Sequence, residues 1–450
     1  MKVPKFLFFI FLFVSIIYSI FEQGIIPYEI GLILILLSIF SIFMPQWAVY
    51  LLIIIAPINL YIVSKENSLL FYSKEYLYLI IFFIFFIRIV GITEQRKYLR
   101  NPMTAPIIFF ALFMMVQAIR NPNIGIGLDG FKYYLQHIPF MFLSLTLFRN
   151  KERLRDLIML SFMVLIIVAF FEMFKFKGQL ETLWKVGGAM EIGHLTSSLV
   201  GGSFASSMLC VTLNCLVLGI ALRQKGLNRV LLLILILLAI GGVFFSHTRG
   251  AYISLIFSIL TVFYYSGGRL KNFVLPALII VVLLTYIPTF SQRFLSTYDV
   301  NENLRIHYYQ TGLTEMLSRG LWLFGSGLFT HDMVGIKNWR HGMPEPIFFD
   351  NYFLIIIAET GIFGAVFLGI IFFRFLKEAK RIYSELNNQF LKSIALGIIT
   401  MWVTLFFALT IGTATWLDVP LGMFFWLFAG LIFNLPYIEN QLAERQGSVS

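Results

Sequence analysis

Three ionisable residues stand where apolar stretches meet polar ones: Arg249 in SHTRGAYISL, Arg305 in NENLRIHYY and Asp350 in FFDNYFL. A charged side chain costs roughly 2 to 3 kcal/mol at the centre of a membrane helix and less near its ends, so each needs a partner or a route to water. Arg249 sits in a very short turn between two apolar runs, where an uncharged turn would serve. For one isolated arginine, snorkelling to lipid headgroups is the plain explanation. Two guanidiniums and a carboxylate together suggest more. A guanidinium presents five donors in a planar fork that matches phosphate oxygens, which an ammonium does not imitate. Two such forks at a membrane face suit a lipid-linked pyrophosphate. If charge grows there as a bond breaks, each donor contributes about 3 kcal/mol, the scale of an oxyanion-site deletion. A carboxylate beside them can take the proton of an attacking hydroxyl. Asp350 also opens a predicted helix and can serve as its N-cap, a role compatible with the first.

The elements that must hold these groups are membrane helices. The chain is 59% hydrophobic and 17% aromatic with 13% charged residues, and its apolar runs are long enough to span hydrocarbon. They lack the every-second-residue alternation of a membrane barrel. The expectation is an all-α polytopic bundle of about 14 transmembrane helices, centred near residues 13, 35, 55, 80, 111, 140, 164, 211, 237, 258, 280, 363, 400 and 426. The first two after the N-terminal span are less distinct, because only Pro45 and Gln46 split a pair that one long broken helix would also explain. The segment Phe131–Phe148 is expected as a single span, striped in its first half by Lys132, Gln136 and His137.

The start, MKVPKFLFFIFLFVSIIYSIFEQG, has a basic end and an apolar run without a small-residue cleavage site, which predicts an uncleaved first helix. With that end in the cytoplasm, 21 of the 34 Lys and Arg residues fall on inward loops. The formal charge of +11 is therefore mostly a topology signal, not a mark of nucleic-acid binding. Four regions follow: an N-terminal bundle over 1–289, an extracytoplasmic catalytic loop over 290–350, further membrane helices over 351–437 and a cytoplasmic tail over 438–450. A polar stretch of about 60 residues in such a chain is where function concentrates. The next longest outward loop, Lys175–Gly202, is rich in Gly and Ser and reads equally as a connector. Cys210 and Cys215 lie five residues apart on one predicted helix and imply neither a disulfide nor a metal pair.

Three pieces of the chain resemble the O-antigen ligase and O-antigen polymerase superfamily. SHTRGAYISL looks like its Ser-x-x-Arg-Gly-Ala helix start, and RIHYYQTGLTEMLSRGLWLFGSGLF resembles its Arg-led loop helix followed by Gly-x-Gly. DNYFLIIIAETGIFG resembles the ligase motif of His, then Asn or Ser, nine residues, Gly, two residues, Gly. Asn351, Gly361 and Gly364 keep that spacing, while Asp350 stands in the place of the histidine. The resemblance implies an integral-membrane glycosyltransferase of the bacterial inner membrane, acting outside the cytoplasm on polyprenyl-diphosphate-linked glycans. Arg249 and Arg305 would contact the lipid diphosphate, with Asp350 as base or acceptor-positioning group in a polymerase branch. Asn351, His194, His331 and Lys132 are further candidates for binding substrate, His194 through a weaker similarity over GHLTSSLVGGSFASSM, although an ordinary surface histidine explains His331 more simply and snorkelling explains Lys132 as well. No nucleotide sugar, metal or other cofactor is implied. The implied partners are a glycan donor, a glycan acceptor and membrane lipids, with a chain-length regulator and a flippase as associates.

Several other residues carry a plainer reading. His341 reads as a surface histidine, and Arg120, at the outward mouth, as a snorkelling or glycan-contacting group. Tyr308, Tyr309, Trp322 and Trp339 can stack on sugars or form an interfacial belt. Glu359, buried within an apolar helix, needs a partner. Gly361 and Gly364 are expected to permit close helix packing. No metal cluster, P-loop, dinucleotide fingerprint or Gly-x-Ser-x-Gly elbow appears where it could work. A ligase and a glycan-lipid exporter are the competing readings. An exporter calls for a polar cavity through the bundle, whereas the charges outside the cytoplasmic loops collect at one face.

Overall fold

A computed structural model of the protein describes residues 44–62, 81, 100–186, 203–246, 248–266, 310, 313–314, 316–318, 320–328, 351–408 and 420–447. Among the described residues all regular structure is helical. The helices are α1 (Pro45–Ile62), α2 (Thr104–Arg120), α3 (Ile124–Leu135), α4 (Ile138–Leu147), α5 (Lys151–Val186) and α6 (Ser203–Ala221). They continue with α7 (Gly226–Phe245), α8 (Arg249–Ser266), α9 (Tyr352–Glu385), α10 (Gln389–Ala408), α11 (Leu421–Ile432) and α12 (Leu435–Gly447). Long apolar runs become helices because hydrocarbon offers backbone groups no partner, and a helix satisfies them internally. Asparagines start three of them. Asn123 Oδ1 accepts from Gly125 N at 3.1 Å, Asn351 Oδ1 from Leu354 N at 3.2 Å and Asn388 Oδ1 from Phe390 N at 3.0 Å.

Helix α6 is the hub, buried along most of its length and packed against α5, α7, α8 and α10. Its crossing with α10 is close enough that a methyl on Gly219 would lie 2.6 Å from Gly397 N and Ser393 O. Helices α4 and α11 cross as tightly, with Gly430 under the Met141 carbonyl. Small residues permit such backbone approach between membrane helices. Helix α9 leans on α2, α10 and α11. Trp402 of α10 joins three of these elements, its ring stacked between Phe375 of α9 at 3.8 Å and Phe425 of α11 at 4.0 Å.

Four described helices are long and apolar enough to cross a membrane: α5 over Lys151–Met173, α7, α9 and α10. The pair α11 and α12, bent by 47°, makes a fifth if it is one span. Helices α1, α2, α6 and α8 are apolar but shorter. The chain is thus a helical membrane protein. The expected total of about 14 is not reached among the described residues, and the segments expected near 13, 35, 80 (apart from Ile81) and 280 lie outside them. One expectation is corrected: Phe131–Phe148 is not one continuous helix but the end of α3 and the whole of α4, parted at Gln136 and His137. Pro139 has no N–H to bond the Leu135 carbonyl, which favours an interruption at this point. Helix α12 also carries helical structure to Gly447, into the stretch expected as a tail.

Candidate functional site

Within α9 the backbone leaves the helix at Gly361, with φ 69° and ψ −173°. In an unbroken helix the amides of Ile362 and Phe363 would bond the carbonyls of Ala358 and Glu359. Here both bonds are opened and the segment 322–327 is inserted between their halves. Ile362 N donates to Trp322 O at 2.9 Å and Phe363 N to Leu323 O at 3.4 Å. On the other side, Ser326 N and Ser326 Oγ both donate to Ala358 O at 2.9 Å, and Gly327 N donates to Glu359 O at 2.9 Å. The four groups freed by the break are therefore all partnered, as buried backbone requires.

Two glycines make this insertion possible. A Cβ on Gly361 would lie 2.1 Å from Leu323 O, and one on Gly325 would lie 2.3 Å from the Glu359 carbonyl carbon and oxygen. Both also have positive φ, a region that residues with a Cβ rarely enter. The inserted segment follows a helical turn closed by Gly320 N to Leu317 O at 3.1 Å and Leu321 N to Met316 O at 2.9 Å, the Schellman pair of bonds.

The short hairpin of α2 and α3 grips the same segment from outside. Arg120, the last residue of α2, donates from Nη1 to Phe324 O at 2.8 Å and to Gln117 Oε1 at 3.0 Å, and from Nη2 to Gly325 O at 3.4 Å. Asn121 Nδ2 donates to Leu328 O at 2.6 Å. Below the break, the fully buried Glu359 accepts a hydrogen bond from Tyr134 Oη at 2.8 Å, which supplies the partner its burial demands. Phe324 stacks on Phe363 with ring centroids 5.1 Å apart.

A second polar knot lies at the start of α8. Thr248 Oγ1 is 2.7 Å from Ser207 Oγ of α6 and 2.8 Å from Ser246 Oγ, and Tyr252 Oη donates to Phe244 O at 2.7 Å. These bonds tie the turn between α7 and α8 to α6, and Arg249 is the first residue of α8.

The residues named from sequence fare differently. Asn351 is the N-cap of α9, so the capping role expected of Asp350 belongs to its neighbour. Gly361 does not simply admit a neighbouring helix, as expected, but breaks its own. Lys132 is on the exposed side of α3. Arg120 holds loop carbonyls, which the reading as a glycan contact did not foresee. The Arg249 side chain and residues Arg305, Asp350, His194, His331 and His341 lie outside what is described. Asn121 and Tyr134 were missed. Tyr134 had a signal in the spacing Gly127, Gly130, Tyr134, which the structure shows to be the buried face of α3; Asn121, in a short polar turn, had none.

The site is thus a polar segment spliced into a broken membrane helix and clamped by a helical hairpin. Residues 233–369 match the model of the family described as O-antigen ligase. That stretch contains the α7 and α8 side of the knot, the inserted loop and the break in α9. No curated protein matches the chain.

Proposed function

We propose that the protein is an extracytoplasmic glycosyltransferase that polymerises polyprenyl-diphosphate-linked oligosaccharide repeat units into a surface polysaccharide. The reducing-end sugar of one lipid-linked chain moves to a hydroxyl of another lipid-linked unit, and polyprenyl diphosphate leaves. Arg249 and Arg305 hold that diphosphate as charge builds on it. Asp350 takes the proton of the attacking hydroxyl. The observation that carries this reading is the coincidence of the family segment with the spliced break: Asn351, Gly361 and Gly364 of the motif cap, break and continue α9, so Asp350 precedes a helix start whose position the inserted loop helps to fix.

Arg249→Lys and Arg305→Lys, expressed in membranes at the natural level, are expected to abolish long polymer, because an ammonium cannot reproduce the two-pronged contact. Polymer of normal length in both variants removes the arginines from the mechanism. A ligase is the second reading, favoured by the description of the matching family. Deleting a polymerase leaves single repeat units on acceptors, whereas deleting a ligase strands long polymer on the polyprenyl carrier.

A further inference from the structure

The inserted segment is held from two sides, of which only the inner one lies within the family segment. Its inner side bonds the opened helix α9, and its outer side is held by the last residue of α2. Once Trp322 and Leu323 have given their carbonyls to Ile362 and Phe363, the next two carbonyls, Phe324 and Gly325, point away from α9. Arg120 takes both, from its two terminal nitrogens, and its guanidinium also lies 5.7 Å from the centroid of the Phe324 ring. The side chain is itself held by Gln117, one turn earlier on α2. Gln117 is fully buried, so the fork has a fixed base although its tip is exposed.

We propose that Arg120 is a positioning residue of this site, whose guanidinium clamps the segment 322–327 in the break of α9 by holding the carbonyls of Phe324 and Gly325. This rests on the reading above for its effect on glycosyl transfer, but not for the clamp itself. The clamp fixes one end of the stretch 329–350, which returns to the chain at Asn351. Its other end is the start of the same helix, about eight residues or ~12 Å up α9 from Glu359. Lysine is not an adequate substitute, because one ammonium on a flexible stem cannot span two successive carbonyls in a fixed fork.

The test uses the full chain in membrane vesicles with the pair Phe324→Cys and Phe363→Cys, whose parent rings stack across the break. The native Cys210 and Cys215 are fully buried, which leaves the introduced pair as the reactive one. With Arg120 present, a short bifunctional thiol reagent is expected to link the pair rapidly. Adding Arg120→Ala or Arg120→Lys is expected to slow linking by about tenfold or more, the factor that corresponds to losing one charge-assisted contact. Equal rates in all three backgrounds overturn the clamp, whether or not any polymer is made.

Glycosyl transfer then separates positioning from direct contact. If Arg120 acts through the loop, linking the pair restores polymer formation to the Arg120→Ala protein, relative to the linked double-cysteine protein. Failure of linking to restore it, while the linked protein with Arg120 remains active, overturns the positioning role in favour of substrate contact. An inactive unsubstituted protein speaks against the glycosyltransferase reading and leaves the linking rates as the test of the clamp.

Discussion

At the scale of single residues, the break in α9 depends on groups that a side-chain census undervalues. Gly361→Ala must place a methyl 2.1 Å from Leu323 O and hold a positive φ. The backbone conformation alone costs of the order of 1 to 3 kcal/mol, and the contact cannot be relieved without expelling the loop. The expected outcome is a protein that melts several degrees lower in detergent and makes no polymer. Gly226→Ala is the control: it too has positive φ, but nothing lies within 4 Å of its added methyl. Wild-type melting and activity in Gly361→Ala would show that the break is not required. Tyr134→Phe isolates the second group. It removes the donor that serves the buried Glu359 carboxyl and is expected to cost about 1 to 3 kcal/mol in unfolding free energy. Glu359→Gln keeps an acceptor for Tyr134 and is expected to cost less. A larger loss for Glu359→Gln than for Tyr134→Phe would mean that another contact of Glu359 matters more than this bond.

At the scale of elements, periodicity located helices more readily than it located their interruptions. Runs such as 226–245 and 389–408 are apolar beyond their first turn or so, and each is one helix. The interruption at Gln136 and His137 is visible in the sequence as a polar stripe, but a stripe within an expected span does not by itself mark a break. Gly361 was identified by its motif, yet its role was not legible. A glycine that lets helices touch and one that opens a helix to another strand of chain look the same in sequence; only the long-range partner, here 322–327, separates them. That partner is about 35 residues away, and Arg120 and Asn121 are more than 200 residues away from it. Asn351 shows the converse, a polar motif residue with a local structural task. Asn351→Asp keeps the oxygen that accepts from Leu354 N, whereas Asn351→Ala removes it at a cost of about 1 kcal/mol. If capping is its whole role, Asn351→Asp retains polymer synthesis and only Asn351→Ala loses stability. Loss of synthesis with unchanged stability in Asn351→Asp would instead assign the amide to substrate.

At the scale of the whole molecule, the structure brings together what the charge pattern assigned to one side. Arg223 after α6 bonds Tyr383 near the end of α9 at 3.1 Å and also bonds Gln389 at the start of α10. Lys392 and Lys380 lie 5.4 and 5.0 Å from the rings of Tyr383 and Tyr265, and Tyr383 Oη donates to Tyr265 O near the end of α8. Basic groups from two separate inward-assigned connections therefore meet at one end of the bundle, where a cytoplasmic headgroup region would receive them. The knot of Ser207, Ser246 and Thr248 joins the opposite ends of α6, α7 and α8. The break in α9 lies 24 residues before that helix ends at Glu385, towards its other end. If the positive-inside assignment is right, the spliced site and the α2–α3 hairpin face away from the cytoplasm. Cysteines at two exposed positions test this in intact cells: Asp129→Cys on α3 and Asn228→Cys at the start of α7. A membrane-impermeant maleimide is expected to label the first without permeabilisation and the second only after it. The reverse pattern would put the site in the cytoplasm, where it could not use a donor already carried across the membrane, and the polymerase reading would fall with it.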